Sequence, residues 1–261
     1  MAALQLNKRH FNESNNEIIT HSGDAAFGHS GNDEFKVNGE QLSFWAGGQG
    51  DDVYYLEEFN GLVSIIENPH DSSNDKLAVS ASLFDISGYN ENSNYFADDL
   101  QVYSVDDQHL FIRSDSHDQS IVIANGMDNF GNVDFVRMVG EKHVAEMSSS
   151  LVFDNLISSD HYMGNVSASE LGASDIANAL DDVIHEAQLT SQIENNLASE
   201  NLTWDESVDF IKDNIDNPQA IYVAANLSDL NTEMLGVLVG VSTDTVNEYF
   251  TANGFDPAGL G

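Results

Sequence analysis

The chain has 261 residues, 44 acidic against 8 basic, and a formal charge of -36. A surface of that sign repels nucleic-acid backbones and anionic membranes, so neither is expected as a partner. The absence of cysteine excludes disulfides, thiolate metal sites and cysteine nucleophiles, while 41% apolar residues argue against wholesale disorder in a length that suits one large or two modest domains.

Read from the N-terminus, Met1 to Arg9 lacks a long apolar core behind its basic residues and does not form an ordinary signal peptide. Residues 1–20 are polar and rich in asparagine, and end in a first strand at Ile18-Ile19-Thr20. Two related nine-residue segments follow. Gly47-Gly48-Gln49-Gly50-Asp51-Asp52-Val53-Tyr54-Tyr55 fits G-G-x-G-x-D-x-U-x, with U a large apolar residue, at every fixed position. Gly28-His29-Ser30-Gly31-Asn32-Asp33-Glu34-Phe35-Lys36 fits at Gly28, Gly31, Asp33 and Phe35, with His29 in place of the second glycine. In a parallel β-roll each such unit is a turn plus a short strand, and two units close one coil of about 18 residues. The two copies start one coil plus one residue apart, so Asp33 and Asp52 are expected on the same edge, facing one ion. Glycines let the backbone adopt φ > 0 and bring carbonyls to close range, and carbonyl and carboxylate oxygens suit Ca²⁺.

Further strands are predicted at Leu62 to Glu67 and Lys76 to Val79, joined by a turn-rich loop over 68–75. Within it, Asp71-x-Ser73-x-Asp75 lacks the glycine and glutamate of an EF-hand loop and reads as solvated. Residues 98–138 alternate through Leu100, Val102, Leu110, Ile112, Ile121, Ile123, Val133 and Phe135, which predicts an antiparallel meander capping the roll's open end. A Ser/Ala/Asn-rich connection spans 145–172. Beyond it the period becomes helical: Ile176, Leu180, Val183, Ile184 and Ala187 share one face. Thr203 with Glu206 forms a capping box, Pro218 suits a helix N1 position, and Ser242 caps a last helix that stops near Gly254. This tail has Lys212 as its one basic residue. The expected organisation is a short, degenerate parallel β-roll over 1–62, an antiparallel β cap over 63–145, a linker over 146–172 and an α-helical C-terminal domain over 173–261.

With its glycine turns, the apolar strand and N/D-rich loop after them, and the β-rich segment that follows, the chain resembles the RTX (repeats-in-toxin), or haemolysin-type calcium-binding, family of secreted bacterial proteins. The resemblance implies one Ca²⁺ held by backbone carbonyls of His29, Gly31, Gly47 and Gln49 and by the Asp33 and Asp52 carboxylates. It also implies an extracellular location reached by type I secretion without an N-terminal signal peptide. No run of 18 apolar residues predicts a membrane span. Catalytic patterns are absent: Gly28-His29-Ser30-Gly31 lacks the glycine that a serine-hydrolase elbow needs at Asn32, and the histidines show no zinc-protease spacing. The expectation is a non-enzymatic, calcium-binding protein whose folding is coupled to Ca²⁺. The alternatives are an interaction module that engages a protein partner through the helical domain, with a vestigial roll, and a fragment of a larger RTX hydrolase or toxin.

Overall fold

The computed structural model describes residues 4–11, 14–37, 39–56, 59–67, 74–79, 97–129, 133–139, 142–200, 204–228 and 230–260. Short strands succeed one another from the N-terminus: β1 (Asn7–His10), β2 (Glu17–Thr20), β3 (Asp24–Phe27), β4 (Glu34–Val37), β5 (Glu40–Ala46), β6 (Val53–Leu56), β7 (Asn60–Ile66) and β8 (Asp75–Val79). Odd-numbered strands pair with one another in parallel, as do even-numbered ones, so the chain winds between two sheets. This is the two-sheet parallel roll expected from the glycine turns. Phe35 stands beside Tyr54 and Ala25 beside Phe44. The residue in excess of an ideal coil is therefore absorbed without loss of register.

Side chains that point inward stack in columns. On the even sheet Ile18, Phe35, Tyr54 and Leu77 are neighbours in register, and on the odd sheet Ala26, Trp45 and Ile65. All are fully buried in one cluster between the sheets. Trp45 Nε1 donates to Thr20 Oγ1 at 3.0 Å across that core, which satisfies the one polar atom a buried indole carries.

The roll runs further than 1–62. After β8 come β9 (Leu100–Val105), β10 (His109–Ser114), β11 (Gln119–Ile123), a short α1 (Gly126–Asn129), β12 (Val133–Val139) and β13 (Lys142–Met147). β11 lies parallel to β7 and β12 parallel to β8, with Ile123 beside Ile65 and Phe135 beside Leu77. They complete another coil rather than joining a single meander. The antiparallel part of the cap is the pairing of β9, β10 and β11, together with β12–β13. The linker expected over 146–172 is also structured: α2 (Ser149–Ser158) places Val152 and Leu156 in the inter-sheet core, and β14 (Tyr162–Val166) lies parallel to β9. These elements cover apolar surface that a bare coil end would expose.

The helices are α3 (Ser174–Glu200), α4 (Trp204–Asp213), α5 (Pro218–Leu227), α6 (Thr232–Val239) and α7 (Thr243–Ala252), followed by a single 3₁₀ turn. The predicted face of α3 lies on the outside of the odd sheet, where Leu180, Val183 and Ile184 pack with Phe27, Phe44, Ile66 and Val122. The odd sheet is thus apolar on both faces, which is why β3 (DAAF) is buried at every position. Helices α4–α7 share a second core around Tyr222, Val223 and Phe250. Asn217, immediately before Pro218, accepts from the Ala220 N–H at 3.1 Å, and Ser242 accepts from the Thr245 N–H at 3.2 Å. The expected cap Thr203 lies outside the described residues. Among those described, no helix is long and apolar enough to cross a membrane.

Because Leu180 is 3% exposed between sheet and helix, Leu180→Ala is expected to lower unfolding free energy by about 2–5 kcal/mol. Leu227→Ala, at a site 42% exposed, is expected to change it by less than about 0.5 kcal/mol. Urea denaturation of the two variants measures the contrast.

Candidate metal centre at the stacked turns

The turns that lead into β2, β4, β6 and β8 share a sequence device. Each ends in two adjacent Asn/Asp residues: Asn15-Asn16, Asn32-Asp33, Asp51-Asp52 and Asn74-Asp75. The turn backbone lies outside the strand ladders, so its N–H groups need other acceptors, and these side chains supply them. The Asn16 N–H donates to Asp33 Oδ1 at 2.7 Å, the Asp33 N–H to Asp52 Oδ1 at 2.8 Å and the Asp52 N–H to Asp75 Oδ1 at 2.9 Å. A second, outer column runs in the opposite sense, each later turn donating to the one before it: the Asn32 N–H donates to Asn15 Oδ1, the Asp51 N–H to Asn32 Oδ1 and the Asn74 N–H to Asp51 Oδ1. The inner carboxylates are buried, Asp33 and Asp52 at 0% exposure and Asp75 at 1%. Asp75 was read from the sequence as part of a solvated loop. The structure places it in the inner column, where its bond to the turn below removes it from solvent. The coil step between Asp52 and Asp75 is 23 residues rather than the 19 between Asp33 and Asp52, so a search at fixed period misses it. The column ends where Val133 takes the place beside Asp75.

The six residues expected at the ion fall on two stacked turns. Ser30 and Gln49 form a parallel bridge, the Gln49 N–H donates to the His29 carbonyl at 2.7 Å, and the Gly31 N–H donates to the Gln49 carbonyl at 2.9 Å. His29 and Gln49 carbonyls therefore already tie one coil to the next. Gly48 has φ +106°, and its equivalent His29 has φ +73°. A Cβ on Gly48 would come within 1.8 Å of the His29 carbonyl oxygen, so the turn above admits only glycine. At Gly28 an added Cβ would meet Asp33 Oδ2 at 2.3 Å and the Gly47 carbonyl oxygen at 2.5 Å. At Gly47 it would meet Asp52 Oδ2 at 2.1 Å and the Tyr54 hydroxyl at 2.2 Å. Each first glycine is thus the floor of a small oxygen-lined cradle. The upper one already holds Tyr54, whose hydroxyl donates to Glu67. Burial, and after it the Asp75 carboxylate, hold the Glu67 carboxyl well above the usual carboxylate range. Among the described residues no three His, Asp or Glu side chains are arranged around a common point for a metal. An ion at these turns would draw most of its shell from backbone carbonyls.

Sequence reading assigned His29 a backbone role alone. Its side chain instead enters a buried chain of contacts with α3. Glu186 Oε1 lies 2.9 Å from His10 Nε2, His10 Nδ1 lies 3.0 Å from His29 Nε2, and His29 Nδ1 lies 2.7 Å from Glu194 Oε1. Lys8 Nζ donates to the other oxygen of Glu186. Each of the three contacts requires one proton. Counted from the fully deprotonated groups, three protons on two carboxylates and two imidazoles leave a single negative charge, which Lys8 cancels. Burial pulls the His10 imidazole down, to about 4, against the opposing pull of Glu186. The His10 ring stacks between Phe27 and Phe255, with centroids 4.3 and 4.2 Å away. No motif announced this chain; the only sequence signal was a histidine where the repeat calls for glycine.

Comparison with protein-family models, curated proteins and solved structures finds no match.

Restoring the repeat glycine by His29→Gly relieves a left-handed φ worth about 1 kcal/mol. It also leaves His10 and Glu194 each short of a buried partner, at about 1–3 kcal/mol per group. The expected balance, read by urea denaturation, is a destabilisation of about 1–5 kcal/mol in spite of the closer match to the repeat.

Proposed function

We propose that this chain is a non-enzymatic calcium-binding protein of the RTX-like type, working outside the cell, in which Ca²⁺ completes the folding of the roll. The observation that carries the reading is the cradle at Gly28, where a buried carboxylate oxygen of Asp33 and the carbonyl oxygen of Gly47 crowd the space a side chain would fill. Oxygens of these two kinds are what Ca²⁺ takes, in sets of six to eight and without strict geometry. Asp33 and the Gly47 carbonyl would hold the ion, with Gly31, His29 and Gln49 carbonyls and Asp52 as the neighbouring donors. The Tyr54 hydroxyl at the equivalent cradle on Gly47 favours one ion over two.

The linkage to folding follows from charge. A column that buries Asp33, Asp52 and Asp75 on successive coils sets like charges side by side, in a chain already at -36. A divalent cation offsets that repulsion only when the turns are stacked, so it binds the folded state in preference to the unfolded one. At about 100 times its Kd such a ligand adds roughly 2.7 kcal/mol. Extracellular calcium, with export by the type I route, is the setting that the RTX resemblance brings with it. The same acidity disfavours nucleic acids and anionic membranes as partners.

Asparagine already serves as acceptor in the outer column at Asn15 and Asn32, so Asp33→Asn keeps the ladder bond from the Asn16 N–H and removes only charge. In chelator-stripped wild-type protein, added Ca²⁺ is expected to raise Tm by about 5–10 °C, and Mg²⁺ by far less. In Asp33→Asn the calcium increment is expected to disappear while the metal-free Tm is kept or raised. A full calcium response in Asp33→Asn, or none in the wild type, would overturn the assignment.

A further inference from the structure

We infer that the helical bundle carries a docking groove for a cationic amphipathic helix of a partner protein. The groove opens between the C-terminal end of α4 and helices α5–α7, walled by Ile215, Leu235, Val239, Val241, Tyr249 and Phe250. Its volume is about 170 Å³ and its lining is almost wholly apolar. That is below the roughly 300 Å³ at which small-molecule and cofactor sites begin, and it suits one or two inserted side chains. The rim is open to solvent: Ile215 is 45% exposed and Val241 44%.

A second observation concerns α6 itself. From Met234 to Val239 its sequence, MLGVLV, is apolar on every side, and while Leu235 faces the bundle core, Met234 and Val237 project outward at 47% and 81% exposure. A helix apolar all round is one that is covered on more than one side. Together with the groove it marks this end of the bundle as a contact surface.

Charge decides the occupant. The exposed Asp216, next to Ile215, lies near enough to the groove residue Tyr249 to add to burial in raising its hydroxyl pKa, and Asp244, Glu248 and Glu233 add exposed negative charge on the helices that form the groove. From residue 174 to 261 the chain has one basic residue, Lys212. Two copies of a chain at -36 repel each other, which argues against self-association through this face. An apolar stripe flanked by Lys or Arg, at the i, i+3, i+4, i+7 spacing of a helix in a groove, satisfies both the walls and the rim. This inference does not depend on the calcium reading.

The test uses a fluorescently labelled lysine–leucine peptide with leucines at i, i+3, i+4 and i+7, titrated with the whole chain in calcium-containing buffer at physiological ionic strength. Two controls keep charge and apolarity apart: the same composition in scrambled order, and a glutamate–leucine peptide of identical spacing. The amphipathic lysine peptide is expected to bind at least about tenfold more tightly than the scrambled one, with no binding by the glutamate peptide. Ile215→Ser with Val241→Ser, both at exposed positions, is expected to weaken it by about tenfold or more at an unchanged Tm. Equal binding of the ordered and scrambled peptides would overturn the inference, since only net charge would then be read. So would a dimer seen by sedimentation and broken by the double variant, which makes the occupant a second copy. Variant-sensitive adsorption to phosphatidylcholine vesicles without peptide binding would make it a lipid surface and equally overturn the inference.

Discussion

The roll rests on a backbone problem at its turns. Strand N–H groups, and turn groups such as those of Gly31 and Gln49, find carbonyls in the neighbouring coil, but the N–H groups of the Asn/Asp pairs before the even strands lie beyond the ladders and need other acceptors. The inner and outer Asn/Asp columns provide those acceptors, with bonds of 2.7–3.0 Å between successive turns. A side-chain oxygen two bonds from Cβ is the right length for this, and glutamate or glutamine, one bond longer, would overshoot. Either amide or carboxylate meets the geometric need, so the choice of aspartate at 33, 52 and 75 asks for a second reason, which the proposed cation would supply.

The same geometry explains the distribution of apolar residues. A two-sheet roll has an inner core only as wide as one side chain from each sheet, and Phe35, Trp45 and Tyr54 fill it with aromatic rings whose centroids lie 5.1–6.1 Å apart. So thin a core leaves the outer face of the odd sheet as additional burial, and α3 takes it. The price of that arrangement is a polar seam where helix meets turn, resolved by the His10–His29 pair between Glu186 and Glu194.

Much of this was legible from the residues. The glycine turns read correctly as parallel coils because the backbone at Gly48 and Gly50 has φ values that suit little else. The period change after residue 172, Pro218 at a helix N1 position and the Ser242 cap carried the helices, while the Asn217 cap emerged only in the structure. The extent of the roll was hidden by distance: β11 and β12 pair with strands 58 positions earlier in the chain, and their alternation looks the same whether the neighbour is parallel or antiparallel. Of the site, Asp52 was visible through a full repeat and Asp33 through a weaker copy at coil spacing, while Asn16 and Asp75 were concealed by unequal coil lengths. Glu186 and Glu194 could not be found at all, since nothing in a helical sequence marks which carboxylate will meet a histidine some 170 residues away.

That separation bears on the order of assembly. His10 touches Glu186, and its carbonyl accepts from the Tyr222 hydroxyl, 212 residues further along the chain. The coil that begins with β1 is therefore the last to receive its full set of neighbours. Contacts of such high contact order slow a folding reaction, because a long loop must close before any bond rewards it. Coils in the middle of the roll need only adjacent segments and are free to organise early. This coil lacks its outer covering until α3 and α5 arrive, so nascent chains cut short before residue 174 would present the apolar outer face of the odd sheet to one another.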